Sequence, residues 1–202
     1  KGELVSSKNK SGRELNAEYD EKGLIRVEIK DQNNTTIFGR NTDDTFSSNL
    51  NSELDPVSKL AVHESEISFV RANGDKARIS NDGNVRIDKK DSSFVESNAD
   101  GQVTKVGLDQ QNYRSYSYSE DGKELRQVKE VTKAGGESTW QSNNPDGRQF
   151  SSVSAEGFLT YQKQGKTFVE DTNLAKIELR DDLQPGKLTM PNGSTRTFEY
   201  DD

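Results

Sequence analysis

The 202-residue sequence has no cysteine and a single histidine, and these two shortages remove much of the chemistry a soluble chain commonly carries. Without thiols there is no disulfide framework, no thiolate zinc site and no cysteine nucleophile. The lone histidine, His63, has Glu64 and Glu66 beside it and falls at the end of an expected short helix, where a surface or capping role is the ordinary one. No Gly-x-Ser-x-Gly elbow, phosphate loop or His-Glu-x-x-His pair occurs, so the sequence predicts no triad, nucleotide or zinc-protease chemistry. No apolar run approaches the roughly 20 residues that cross a bilayer as a helix, and no signal peptide is read within these residues, while a leader upstream of Lys1 is among the expectations. Lys1 rather than methionine stands first, and the expected reading is a segment of a longer repetitive chain.

Apolar residues are scarce as well, at 28% of the sequence against 31% charged. A compact two-layer sandwich needs a broad apolar face on each sheet, whereas an extended sheet wetted on both faces needs far less. The composition therefore predicts a thinly cored form held by backbone ladders and by cross-strand pairs of roughly 0.2–1 kcal/mol each. Charge of one sign is missing too: 28 basic and 35 acidic residues give a net charge of −7, with both signs scattered. No basic stripe serves a nucleic-acid backbone or an anionic membrane, so neither nucleic acid nor membrane insertion is expected. Net negative charge helps a surface rich in strand edges to stay soluble.

What the sequence has in quantity is glycine at turn positions. Asn73-Gly74, Asp82-Gly83, Asp100-Gly101, Asp121-Gly122 and Asn192-Gly193 are the strongest pairs; Gly135-Gly136, Asp146-Gly147, Glu156-Gly157, Gln164-Gly165 and Pro185-Gly186 join them. Glycine takes positive φ freely, and Asn or Asp tolerates it better than other residues, which is what tight hairpins need. Three glycine pairs, Gly2 to Gly23, Gly101 to Gly122 and Gly165 to Gly186, are spaced by 21 residues, a step that suits repeated hairpins. Between turns the apolar residues alternate. In Leu24 to Lys30, Ile25, Val27 and Ile29 point one way while Arg26, Glu28 and Lys30 point the other, and Glu14 to Tyr19 supplies the partner strand.

The predicted fold is therefore all-β: an extended antiparallel β-hairpin repeat array over residues 1–202, either a long twisted meander sheet or a β-solenoid or partial barrel. Residues 39–63 break the rhythm and are expected to be an insertion. Within it Asp55-Pro56, followed by Val57, Leu60 and Ala61, offers an N-cap, a proline at the first helical position and helical spacing. One short helix or an irregular insertion near 52–63 follows.

Tyr19-Asp20-x-x-Gly23-Leu24, Tyr118-x-x-Asp121-Gly122 and Thr197-Phe198-Glu199-Tyr200-Asp201 together resemble the tyrosine-aspartate repeats of Rhs and teneurin-type proteins. The resemblance covers residues 1–30, 98–130 and 165–202 and is one of repeat style. It implies β-hairpin units that wind into a long sheet, within a large surface-exposed chain or a shell around a cargo. Ser119 stands where the repeat has Asp, and no aspartate-rich self-cleavage motif is present.

Other chemistry has to be built from carboxylates or aromatics. Asp20, Asp82, Asp100, Asp121 and Asp146 are already explained by turns, and Asn41, Asp43 and Asp44 lack the spacing of a calcium loop; no metal and no cofactor is expected. Tyr113, Tyr116, Tyr118 and the sole tryptophan, Trp140, are the candidate contact residues for a sugar or a partner peptide, although a thin sheet would use the same tyrosines for cross-strand packing. The expected function is a non-catalytic structural repeat segment of a bacterial surface or secreted protein, serving as scaffold, stalk or shell wall. Its expected partners are flanking repeats of the same polypeptide, a protein or glycan, and other copies through sheet edges. The alternatives are a carbohydrate- or protein-binding adhesion module using Trp140 and the tyrosines, and third a carboxylate-dependent glycoside hydrolase or lyase.

Overall fold

The computed structural model describes residues 4–8, 12–30, 35–49, 56–63, 66–142, 147–171 and 175–200. The fold is all-β. Its strands form three antiparallel sheets in which each strand lies beside its neighbours in sequence, and among the described residues there is no helix and no sheet that closes into a barrel. The chain divides into two compact units: residues 1–91 with 97–101, and residues 92–96 with 102–202.

In the first unit β1 (Leu4–Lys8), β2 (Glu14–Asp20), β3 (Gly23–Lys30), β4 (Thr35–Arg40) and β5 (Phe46–Ser48) make a five-stranded sheet in that order. A second ladder runs through β6 (Ser58–Val62), β7 (Glu66–Val70), β8 (Lys76–Ser80) and β9 (Val85–Asp88). The alternation in β2 and β3 is what buries them: Leu15 faces Ile29 and Ala17 faces Val27 across the ladder, and all four side chains are buried. Leu15, Val27 and Ile29 share one core with Phe38, Phe46, Val57, Leu60, Ile67 and Phe69, and the Phe38 and Phe69 rings meet at 5.4 Å. Burial on this scale gives the sheets one dry face each, so the low apolar content is met by a small core and not by sheets wetted on both sides.

The expected insertion at 39–63 continues the meander. It holds the end of β4, all of β5 and all of β6, with Asp55 outside the described residues. Val57 exchanges two backbone hydrogen bonds with Phe46, each 2.8 Å, and is fully buried. A helix of two turns is marginal alone, and the strand geometry gives the β-branched Val57 and its backbone groups partners that the helix would not. Of the two alternatives for this stretch, irregularity is what remains: Lys59 has φ +53° and the β6–β7 register shifts between Ser58 and Ala61.

The second unit carries β10 (Phe94–Ser97), β11 (Val103–Gly107), β12 (Tyr113–Tyr118), β13 (Leu125–Val131) and β14 (Glu137–Gln141), then a six-stranded sheet of β15 (Gln149–Val153), β16 (Leu159–Lys163), β17 (Lys166–Glu170), β18 (Lys176–Leu179), β19 (Pro185–Thr189) and β20 (Thr195–Thr197). Val95, Val106, Tyr116 and Val128 from the first group share a buried cluster with Phe150, Leu159 and Tyr161 from the second.

Most hairpins turn on one repeated device. The amide of the fourth turn residue donates to the carbonyl three residues back, as Gly74 does to Arg71, Gly122 to Ser119, Gly157 to Ser154 and Gly193 to Met190, at 2.8–2.9 Å. That fourth residue is left-handed, and the asparagine or aspartate before it is not, so the loop is a type I turn closed by a bulge residue at positive φ. The Asx side chain caps instead. Asn73 Oδ1 accepts from the amide of Asp75, Asp121 from Lys123 and Asn192 from Ser194, at 3.0–3.2 Å. Among the described residues, only at Gln164-Gly165 are both residues of a glycine-containing pair at positive φ.

Pro185-Gly186, expected as a turn, instead opens strand β19. The reversal lies at Arg180 to Gln184, where Leu183 takes φ +65° with no glycine to signal it. Among the described residues the 21-residue step joins two turn glycines at Gly101 and Gly122 but not at Gly165 and Gly186, since Gly186 sits in a strand; Gly2 lies outside the described residues. Asp146 of the Asp146-Gly147 pair is likewise outside them.

Candidate functional site

The four aromatic candidates come from β12 and β14, the two strands that flank β13 in the second unit, but they do not make one platform. Alternation along β12 puts Tyr116 and Tyr118 on one face and Tyr113 on the other. Tyr116 faces Val128, which faces Trp140, so these three form a cross-strand row. Tyr116 is buried in the core. Tyr118, half-buried, donates its hydroxyl to the carbonyl of Val103, 2.8 Å away. Tyr200 does the same to Pro185 at 3.1 Å, also 15 residues upstream and also at the first residue of a strand. The recurrent tyrosine is thus a strand-to-strand anchor at both places.

The remaining ring faces are occupied by cations. Lys105 Nζ lies 3.9 Å from the Tyr113 ring centre. The Arg148 guanidinium sits between Trp140 and Tyr161, 5.1 Å from one ring and 5.3 Å from the other. Tyr161 stacks on Phe168 at 5.4 Å, and Lys176 covers Phe168 in turn. Each such contact contributes about 0.5–1 kcal/mol where exposed, and together they run as a ladder across the strands.

Behind this ladder lies a buried ion cluster. Arg114, from β12, is 3% exposed and donates Nε to Glu130 Oε2 at 2.8 Å, Nη2 to Glu170 Oε1 at 2.5 Å and Nη1 to the carbonyl of Asp171 at 3.1 Å. The Tyr161 hydroxyl donates to the second oxygen of Glu170 at 3.1 Å. Burial opposes the guanidinium charge, yet Glu170 and Glu130 more than offset it and hold the Arg114 pKa above its ordinary value. Burial raises the Tyr161 hydroxyl too, and the Glu170 charge raises it further. Tyr116, mainly through burial, is pushed up to about 12. One cation thereby joins strands of the two sheets that share this unit's core. Sequence reasoning missed the cluster, because neither Arg114 nor Glu170 stands in a recognisable spacing.

An open groove of about 630 Å³ lies beside the last residues of β14. Buried Leu125 and Phe150 form its floor, and the side chains of Gln141, Ser142, Gln149, Ser151 and Gln162 reach its rim. Gln149 and Gln162 face each other directly across the β15–β16 ladder. Lys123, Glu124 and Arg126 complete the wall. The described lining has one carboxylate, Glu124, whereas glycoside cleavage uses a positioned pair. Elsewhere in this unit Glu130 and Glu170 share the Arg114 guanidinium in the core.

The other residues considered from sequence are spent in turns. Asn41 Nδ2 donates to the hydroxyls of Thr45 and Ser47, and Asp43 accepts from both the amide and the hydroxyl of Thr45. Those contacts, the hydroxyl first, hold the Asp43 carboxyl below its usual value. His63 is exposed after β6, its amide donating to the carbonyl of Glu66 at 2.8 Å. No group of three metal-ligating side chains gathers among the described residues.

No protein-family model matches the sequence, and no curated protein does. Three solved structures can be set beside the fold. The TCP10 domain of Danio rerio CPAP in complex with a peptide of STIL aligns at a TM-score of 0.34 and 12% identity, over 96% of this chain and 98% of that one. The G-box domain of the microcephaly protein CPAP aligns at 0.22 and 13%, over the whole of both chains. Virginiamycin B lyase from Staphylococcus aureus aligns at 0.21 and 11%, over 93% of this chain and 90% of that one. Scores of this size lend the chain neither a family nor a function.

Proposed function

We propose that the chain is a non-catalytic structural segment, a β-meander scaffold within a larger bacterial surface or secreted protein. The observation that carries this reading is the repetition of one building unit: a short strand, a capped type I turn with a left-handed fourth residue, and a return strand paired only with its neighbours in sequence. Such a unit can be added serially, since each strand's partners are supplied locally, and it gives length without a large core. Polar strand faces and a net charge of −7 suit a long wetted surface. Tyr118, at the end of β12, and Tyr200, just past β20, serve as backbone anchors, a structural role consistent with the tyrosine-aspartate repeat style.

The test is location and accessibility in the cell that encodes the chain. An antibody raised against the recombinant protein should bind intact cells or the culture medium, and brief external protease treatment should release fragments containing this sequence. Retention of the antigen inside protease-treated intact cells would overturn the surface reading.

A further inference from the structure

The groove beside β14 combines two surfaces seldom placed together by chance on a thin sheet. Its floor is apolar, made by Leu125 and Phe150, and its rim is neutral and polar. The rim groups are carboxamides and hydroxyls, each able both to donate and to accept. Among the described residues, the side chains of Gln141, Ser142, Ser151 and Gln162 make no hydrogen bond to another protein group, while the side chains of the neighbouring turns are heavily used in capping. The volume of about 630 Å³ lies inside the range of roughly 300–1,000 Å³ typical of small-ligand sites.

The charges at the wall decide which ligand fits. Lys123 has Asp121, outside the lining, at 3.8 Å and Arg126 has Glu124 at 3.9 Å, so the two cations of the described lining are partly offset by carboxylates beside them. An anionic ligand would have to compete for these cations. A wholly apolar ligand would leave the rim amides desolvated without partners. The matching chemistry is a molecule with an apolar face and an edge of hydroxyls that donate and accept. We propose that this groove binds a short neutral oligosaccharide, its C–H face on Leu125 and Phe150 and its hydroxyls on Gln141, Ser151 and Gln162. Binding here does not use the exposed face of an aromatic ring, since Arg148 covers Trp140 and Tyr161. The proposal does not depend on the scaffold reading and would hold for the isolated chain.

The experiment is titration of the intact 202-residue protein with malto-, cello-, xylo-, manno- and chito-oligosaccharides of three to six units, followed by amide chemical shifts and by Trp140 fluorescence. At least one series should saturate, with the shifts centred on 123–126, 141–142, 149–151 and 162. Gln141→Ala with Gln162→Ala should weaken that binding by about tenfold or more, since two hydrogen-bonding groups are lost. Both side chains are exposed, so the near-UV circular dichroism of the double variant should match the parent. Lys123→Ala with Arg126→Ala should change the affinity less than about threefold. No saturable shift up to about 10 mM of any series, or binding that ignores the glutamine changes, would overturn the proposal. Preference for uronate oligosaccharides, lost with the Lys123 and Arg126 changes, would equally overturn its neutral-ligand claim.

Discussion

Replacing Arg114 by methionine should be among the most damaging single changes in the second unit. The side chain is 3% exposed and bonds two carboxylates and a backbone carbonyl. Methionine fills much of the volume but leaves Glu130 and Glu170 facing each other without a cation, and Glu170 is itself 9% exposed. Breaking a buried pair from one side costs about 3–5 kcal/mol, because the stranded charge keeps its desolvation penalty. Domains of ordinary stability have only about 5–15 kcal/mol to lose. The assay is urea unfolding followed by the fluorescence of Trp140, the sole tryptophan, which packs against this unit's core. The midpoint should fall by the equivalent of that loss while the slope is preserved. Adding Glu170→Leu to Arg114→Met should recover a large part of the stability, since an apolar replacement of a buried pair is often neutral. A change within about 0.5 kcal/mol for Arg114→Met, or a double variant that simply adds the two losses, would refute the reasoning.

Three further outcomes are expected. Phe38→Ala, at a fully buried ring that meets Phe69, should cost about 3–5 kcal/mol in the first unit, measurable by amide hydrogen exchange of β2 to β4. Leu183→Gly should be neutral or stabilising by up to about 1 kcal/mol, because it relieves a left-handed leucine that is 70% exposed at the expense of greater unfolded-state freedom; Gly74→Ala, which puts a Cβ at φ +86°, should destabilise by a similar amount, and calorimetry of both reads the pair. The Tyr116 hydroxyl, held by burial at a pKa of about 12, binds its proton more tightly in the folded chain than unfolded, so its contribution is complete below about pH 10 and is lost as pH rises toward 12. Alkaline unfolding should accordingly begin later in Tyr116→Phe than in the parent, with absorbance at 295 nm reporting the ionisation.

How much of this was readable in the sequence depends on whether the signal was local. Turn positions were readable wherever glycine occupies the left-handed fourth place, since that conformation selects the residue. The same turn at Arg180 to Gln184 was not, because Leu183 takes that place, and Pro185-Gly186 drew attention two residues too far on. The strands of 39–63 were hidden by a polar run and a helical cap signal; what decides them is pairing with Phe46 and β7, which composition does not encode. Low apolar content points to a sheet wetted on both faces, yet a few residues at facing positions, such as Leu15 with Ile29, are enough to build a shared core. At the candidate site, the row of Tyr116, Val128 and Trp140 follows from alternation and register. The Arg114 cluster and the glutamine-rimmed groove depend on residues tens of positions apart, and no local pattern announces them.

The account's central claim is that each strand pairs antiparallel with its neighbours in the chain, in a register set by capped turns. Cross-strand nuclear Overhauser effects in a deuterated, isotope-labelled sample test it most directly. Contacts are expected from Lys129 both to Ser115 and to Thr139, and from Val128 both to Tyr116 and to Trp140. Contacts displaced by one residue, or joining β13 to strands other than β12 and β14, would contradict it.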